Sequence, residues 1–390
     1  MPDQRESLRS ILTRREMLRG TLGAAGAAFL AACGISAKKT SASRLAPLGS
    51  PAPKLSIANW PLYIDVDPKT KKPGTLAEFT KQTGIKVNYF EDINDNGQYF
   101  AKVQGPLSQG DGIGRDIIVS TDNDRPLGQY ISQGWAQKLD KDLIPNISNL
   151  IPAQQHPPFD SDREYSLPWL SGMDGIAWNE DLTGPVTTVD QLFTDPKLKG
   201  KVTVWSSMGD TLGLVLLSNG DDPAKVDDAA FGRAIDTVKK AVDSGQIRRF
   251  TGNDYADPLA RGDLAACFAW SGDVAQLIAD NPKLHWGIPK TGGIIWTDNM
   301  IIPTGGSVPT ASTYMNFVYD PKIAAQIAVG TSYISAVGGV KAEAVKLDKA
   351  SASNPLIFPE DETLAQLHQN DPAMLNNPDY IKQWAQVRGE

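Results

Sequence analysis

From residue 55 onward, short apolar runs alternate with amphipathic stretches. This alternation limits the fold more than any other feature of the 390-residue chain. Residues 55–59, 85–90 and 116–120 read as strands, rich in Ile, Val and aromatic side chains and bounded by Gly, Pro, Asp or Asn. Between them, residues 75–83 and 97–107 carry apolar side chains at helical spacing. A β-α-β-α-β order needs crossover helices, and so predicts a sheet dominated by parallel pairs and covered by helices. The rhythm resumes with strands at 176–178, 201–205 and 265–270. Helices are predicted at 228–244, 310–319, 321–333 and 379–387. No repeat of fixed period accompanies it. A chain this long can bury a large core, and its length favours two domains.

The first 32 residues are of another kind. Thr13-Arg14-Arg15-Glu16-Met17-Leu18-Arg19 is a twin-arginine pattern, and the apolar run after it, 21–32, is too short to span a bilayer. It ends in Leu30-Ala31-Ala32-Cys33-Gly34, which resembles the lipobox of bacterial lipoproteins. A basic region, a short apolar run and a small-residue cleavage site predict an export signal over 1–32. Cys33 is then the lipidated N-terminus, and 33–53, rich in Ser, Ala, Lys and Pro, is a flexible tether. The chain is expected outside the cell membrane, anchored to its outer face by lipid alone. Those 32 residues hold five arginines and three acids, so their removal takes the net charge from -7 to -9. Such a balance disfavours nucleic acid and anionic membrane surfaces as partners.

Enzyme signatures are missing. There is no Gly-x-Ser-x-Gly elbow, no His-Glu-x-x-His, no phosphate loop and no Cys-x-x-Cys. His156, His285 and His368 are scattered without ligand spacing, and Cys267 sits in an apolar run that reads as a buried strand. Asp92-Ile93-Asn94-Asp95-Asn96-Gly97 imitates the first half of a calcium loop. Its twelfth position is Val103, where a bidentate Glu should close the shell, so a helix-capping turn is the better reading. No metal and no cofactor is expected.

Aromatic residues beside acids are more informative. They fall at predicted strand ends: Trp60 and Tyr63 in Asn59-Trp60-Pro61-Leu62-Tyr63, Trp205 with Asp210, Trp270 with Asp273, and Trp296 with Asp298. Ligands of open α/β sheets bind beyond the carboxyl ends of strands. Carboxylates there pair with ammonium groups, while ring faces cover methylenes and attract cations. A sugar also stacks on Trp and bonds to Asp, so these residues alone leave a sugar-binding protein open. A surface glycoside hydrolase using Asp210 and Asp298 is the more distant rival.

Four segments carry a closer likeness: 56–63 (SIANWPLY), 165–169 (YSLPW), 292–299 (GGIIWTDN) and 358–363 (FPEDET). With them, the chain from residue 55 to its end resembles the spermidine/putrescine-binding proteins of ABC transporters. The resemblance implies an α/β fold of the type II periplasmic-binding-protein kind, two lobes of mixed sheet flanked by helices with the ligand cleft between them. The lobes would be discontinuous: 54–172 plus 298–342, and 173–297 plus 343–390, with crossings near Gly172, Trp296 and Val337-Gly338-Gly339. The function implied is capture of a polyamine and delivery to permease subunits, by a monomer that catalyses nothing.

By the same resemblance, Trp60 and Tyr63 line the cleft from the first lobe, and Trp270 and Trp296 sandwich the methylene chain. Asp298 takes an amine nitrogen, Asp210 stands where the family has Glu, and Tyr333 and Gln369 supply polar contacts near one end. Two positions depart from the pattern. Ser207 replaces an Asp, and Ser120-Thr121-Asp122 replaces a Ser-x-Tyr contact, which puts Ser120 and Asp122 among the candidates and leaves the particular amine open.

Overall fold

The computed structural model describes residues 51–67 and 70–390. The twin-arginine signal, Cys33 and nearly all of the tether lie outside the described residues. No described helix is long and apolar enough to cross a membrane.

The first strands form as the apolar runs predict. β1 (Lys54–Asn59) lies between β2 (Lys86–Glu91) and β3 (Ile117–Thr121), parallel to both. Helices Gly74–Thr83 and Asn96–Ser108 make the crossovers. Asp95, inside the calcium-like run, caps the second of these by accepting the Gln98 N–H at 2.7 Å. Asp92 in the same run is paired with Arg115 at 2.7 Å. The turn therefore serves the fold, and no metal-holding group of His, Cys, Asp or Glu occurs among the described residues.

Two long strands then join the halves of the molecule. β4 (Ser166–Asn179) and β9 (Gly293–Ile301) pair antiparallel from Ser166↔Ile301 to Met173↔Ile295, with a slip between Pro168 and Ser171. At Asp174, β4 exchanges β9 for β7 (Ala266–Trp270), which runs parallel to β5 (Val202–Trp205); β5 in turn pairs with β6 (Ile247–Thr251). The path across the sheet is β2-β1-β3-β9-β4-β7-β5-β6. Three short strands add to it: β8 (Leu284–Gly287) and β10 (Ile334–Ser335) on β4, and β11 (Leu367–His368) on β9.

The sheet is thus mixed, and the parallel pairing read from the alternation holds only among β1, β2 and β3 and among β5, β6 and β7. Helix alternation reports the crossovers it can see. The antiparallel return of β4 and β9 joins residues more than a hundred positions apart and leaves no local mark. β4 is also far longer than the predicted 176–178, because Pro168, Gly172 and Gly175 interrupt its pattern. Those glycines are required by packing. A Cβ on Gly172 would lie 2.4 Å from the Trp296 ring, and one on Gly175 would lie 2.5 Å from Trp286.

Candidate ligand-binding site

The carboxyl ends of β1, β3, β5 and β7 all point to one place, and β9 runs back across it. There a partly open hollow is lined by Trp60, Tyr63, Asp210, Trp270, Trp296, Asp298 and Tyr333, together with Pro61, Asn96, Thr121, Asn253 and Asp273. Seven of the eleven predicted ligand-binding residues meet here, joined by Asp273, singled out beside Trp270. They come from distant parts of the chain because strand ends converge where sequence segments do not.

The rings form a continuous wall. Trp60 meets Trp270 edge to face at 5.7 Å, Trp270 meets Trp296 at 6.2 Å, Trp296 meets Tyr333 at 5.8 Å, and Tyr333 meets Tyr63 at 4.7 Å. Trp270 and Trp296 stand at 76° to one another, a corner rather than the parallel plates of a sandwich. Trp205 stacks behind Trp270 at 5.3 Å. Glycine again makes the room: a Cβ on Gly272 would fall 2.3 Å from the Tyr333 ring.

Two of the tyrosine-bearing turns are held in the left-handed region, Leu62 at φ 57° and Ser332 at φ 60°. For residues with a Cβ this costs on the order of 1 kcal/mol each and persists only where surrounding contacts enforce it. Gln276 is the enforcer. Its side-chain amide donates to the Leu62 and Thr331 carbonyls, both at 2.9 Å, and so pins the turns that aim Tyr63 and Tyr333.

The acids fall into two groups. Asp273 is well supplied, accepting from Asn253 Nδ2 at 2.7 Å, Tyr255 OH at 2.8 Å and Tyr333 OH at 2.7 Å, with room for one more donor, and burial still pushes its pKa up to about 6. Asp298 is less well supplied. It is buried, its Oδ1 faces no donor, and burial holds its pKa well above the usual carboxylate range despite the nearby Tyr63 hydroxyl. Asp210 lies in the first turn of helix Met208–Asn219, where backbone N–H groups favour an anion. It accepts from Asn123 Nδ2 at 2.5 Å, and burial raises its pKa to about 6. No Lys, Arg or His is among the described residues lining the cavity. Buried carboxylates without a counter-charge are costly to ionise, and an ammonium placed among them removes that cost.

Four predicted site residues stand elsewhere. Ser120 is buried behind the wall and donates to Asn96 Oδ1 at 3.1 Å, while Asp122 accepts the Thr297 N–H at 2.8 Å and ties the end of β3 to β9. Strand alternation explains both, since Thr121 lines the site and Asn123 reaches Asp210, while Ser120 and Asp122 point elsewhere. Ser207 is the N-cap of helix Met208–Asn219; it borders a smaller adjoining hollow between Trp60, Asp95 and Trp270. Gln369 is exposed. Its neighbour Asn370 is the buried partner, donating to Asn123 Oδ1 at 2.7 Å and the Gly209 carbonyl at 2.8 Å. The sequence reading missed Asn96, Asn123, Asn253 and Asn370, short amides that no local pattern distinguishes from turn residues.

Residues 75–359 match the bacterial extracellular solute-binding protein family, and the chain belongs to it. It is a binding protein and not an enzyme, on the periplasmic-binding-protein type II fold. Among curated relatives, the spermidine/putrescine-binding periplasmic protein 1 of Haemophilus influenzae is 27% identical over 326 residues, 80% of this chain and 85% of that one. The Escherichia coli spermidine/putrescine-binding periplasmic protein is 29% identical over 284 residues, 70% and 75% of the two chains. A solved Listeria monocytogenes protein, described as a spermidine/putrescine ABC transporter, superposes with a TM-score of 0.71 at 27% identity. That match covers 86% of this chain and 98% of the other.

Proposed function

We propose that this protein is the extracytoplasmic substrate-binding component of an ABC importer, and that it captures a polyamine of the putrescine or spermidine type. The observation that carries the reading is the cavity itself: Asp210, Asp273 and Asp298 inside an aromatic wall that no basic side chain lines. A diammonium ligand supplies the missing positive charge while its methylenes cover the indole faces. A neutral sugar would use the rings and hydroxyl acceptors but would leave the buried charges uncompensated. The names of the relatives favour the same ligand class and a permease as the partner.

The remaining features of the reading come from the sequence and the topology. Lobes of 54–172 plus 298–342 and of 173–297 plus 343–390 agree with the change of partner along β4 at Met173 and Asp174. The twin-arginine run and the Leu-Ala-Ala-Cys33 end support export and a lipid anchor.

Calorimetric titration of residues 54–390 with putrescine, cadaverine, spermidine and spermine, with maltose as control, tests the ligand. Micromolar or tighter binding of at least one amine is expected. Asp298→Ala should weaken it by at least about a hundredfold, because a charge-assisted contact is lost in a buried site. Heat from maltose and none from any amine would overturn the reading.

A further inference from the structure

The calcium-like run of residues 92–97 caps a helix, and it also meets the far end of the sheet. Along the path β2-β1-β3-β9-β4-β7-β5-β6, β2 and β6 are the two end strands. Asn94 lies three residues after β2, and Gly252 follows directly on β6. Their turns are bonded to each other. The Asn94 carbonyl accepts the Asn253 N–H at 2.8 Å, its side-chain Oδ1 accepts the Asp254 N–H at 2.9 Å, and its Nδ2 donates to Asp254 Oδ1 at 3.3 Å. Beside them the Ser206 hydroxyl, just beyond β5, donates to Asp95. Gly252 leaves room for this meeting: a Cβ there would stand 1.9 Å from the Asn94 carbonyl oxygen.

The turn that Asn94 meets is shaped by Asp254, whose carboxylate accepts the Gly252 N–H at 2.9 Å and pairs with Arg249 at 2.6 Å. Asn253 points the other way. It lines the hollow, and its Nδ2 donates to Asp273 Oδ2 at 2.7 Å. Asn94 does not line the hollow and reaches it only through Asn253. Place in the fold separates this contact from ordinary packing. β9 and β4 stand in the middle of the path and join its halves, so a hinge there opens widest at the two ends. Asp254 is exposed and Asn94 half-buried, so water takes over their hydrogen bonds when the ends part, and the cost of opening is small.

We propose that Asn94 is a positioning residue that clasps the turn after β6 when the halves close, and so holds Asn253 against Asp273 and retains the ligand. A ligand enters while the ends are apart, so the clasp governs its departure and not its arrival. The proposal rests on the polyamine reading for its ligand, and goes beyond it by assigning retention to a residue outside the hollow.

Stopped-flow tryptophan fluorescence of the protein with putrescine or spermidine separates the two rates. Asn94→Ala removes both side-chain bonds and should raise the dissociation rate at least about threefold. Gly252→Ala drives the two turns apart and should raise it at least about tenfold. Association should stay within about twofold of the parent in both variants. A smaller rise in either variant, or a loss of affinity carried by association, would overturn the proposal. Should Gly252→Ala fail to fold, Asn94→Ala decides by the same rates. Silence of the parent toward every amine would sink the ligand assignment alone. X-ray scattering of the amine-free proteins then decides the clasp: Gly252→Ala should have the larger radius of gyration, and one equal to the parent's would overturn it.

Discussion

Gln276 does more for the site than its position on helix Ser271–Asp280 suggests, because one amide holds two left-handed turns at once. Gln276→Leu keeps much of the volume and removes those donors. A loss of about 1–3 kcal/mol is expected, seen as a lowered denaturation midpoint, together with weaker amine binding as Tyr63 and Tyr333 lose their aim. Lost stability with unchanged affinity would separate the turns from the site. At this scale the sequence is legible where chemistry is conspicuous: Trp60, Tyr63, Trp270, Trp296 and Asp298 all reach the cavity. It is silent where the work is done by an ordinary residue meeting a distant carbonyl. It does not single out Asn123, which stands next to Asp122 and reaches Asp210, or Asn370, which stands next to Gln369 and reaches Asn123.

Helix Met208–Asn219 is the element hardest to read and among the most consequential. Met208 through Leu217 are all buried, so the helix is apolar on every side and shows no 3.6-residue period to detect. By contrast, the amphipathic helix Asp228–Asp243 behind it was predicted to within a residue. The start of the buried helix brings Gly209 against the opposite edge of the cavity, where a Cβ would lie 2.2 Å from the Asn123 carbonyl oxygen. Ala is the better helix former by up to about 1 kcal/mol. Gly209→Ala is therefore expected to leave the melting temperature of the amine-free protein unchanged or raised, while lowering amine affinity by at least about tenfold through blocked closure. A marked drop in melting temperature without amine would mean that the contact is permanent packing.

For the molecule as a whole, the acids make ligand binding a function of pH. Asp273, raised to about 6, and Asp298, raised by burial, both favour their protonated forms in the fold. A carboxyl with a raised folded pKa contributes stability that is complete below its unfolded value of about 4 and is lost as pH climbs through the folded value. The amine-free protein thus gives up this contribution between about pH 4 and pH 6 for Asp273, and an ammonium ligand recovers it by pairing with the ionised form. The rise in melting temperature caused by putrescine or spermidine should grow from pH 5 to pH 7.5. Titrations in buffers of different ionisation enthalpy should register proton release on binding at pH 5. An affinity flat across that range would remove these carboxyls from ligand recognition. The paired run of β4 and β9 bears on how such a molecule moves. Each strand belongs to both halves, and the two are stitched to each other along most of their shared length. A single stitched ribbon bends readily across its face and resists shear and swivel, which gives the halves the freedom of a book on its spine.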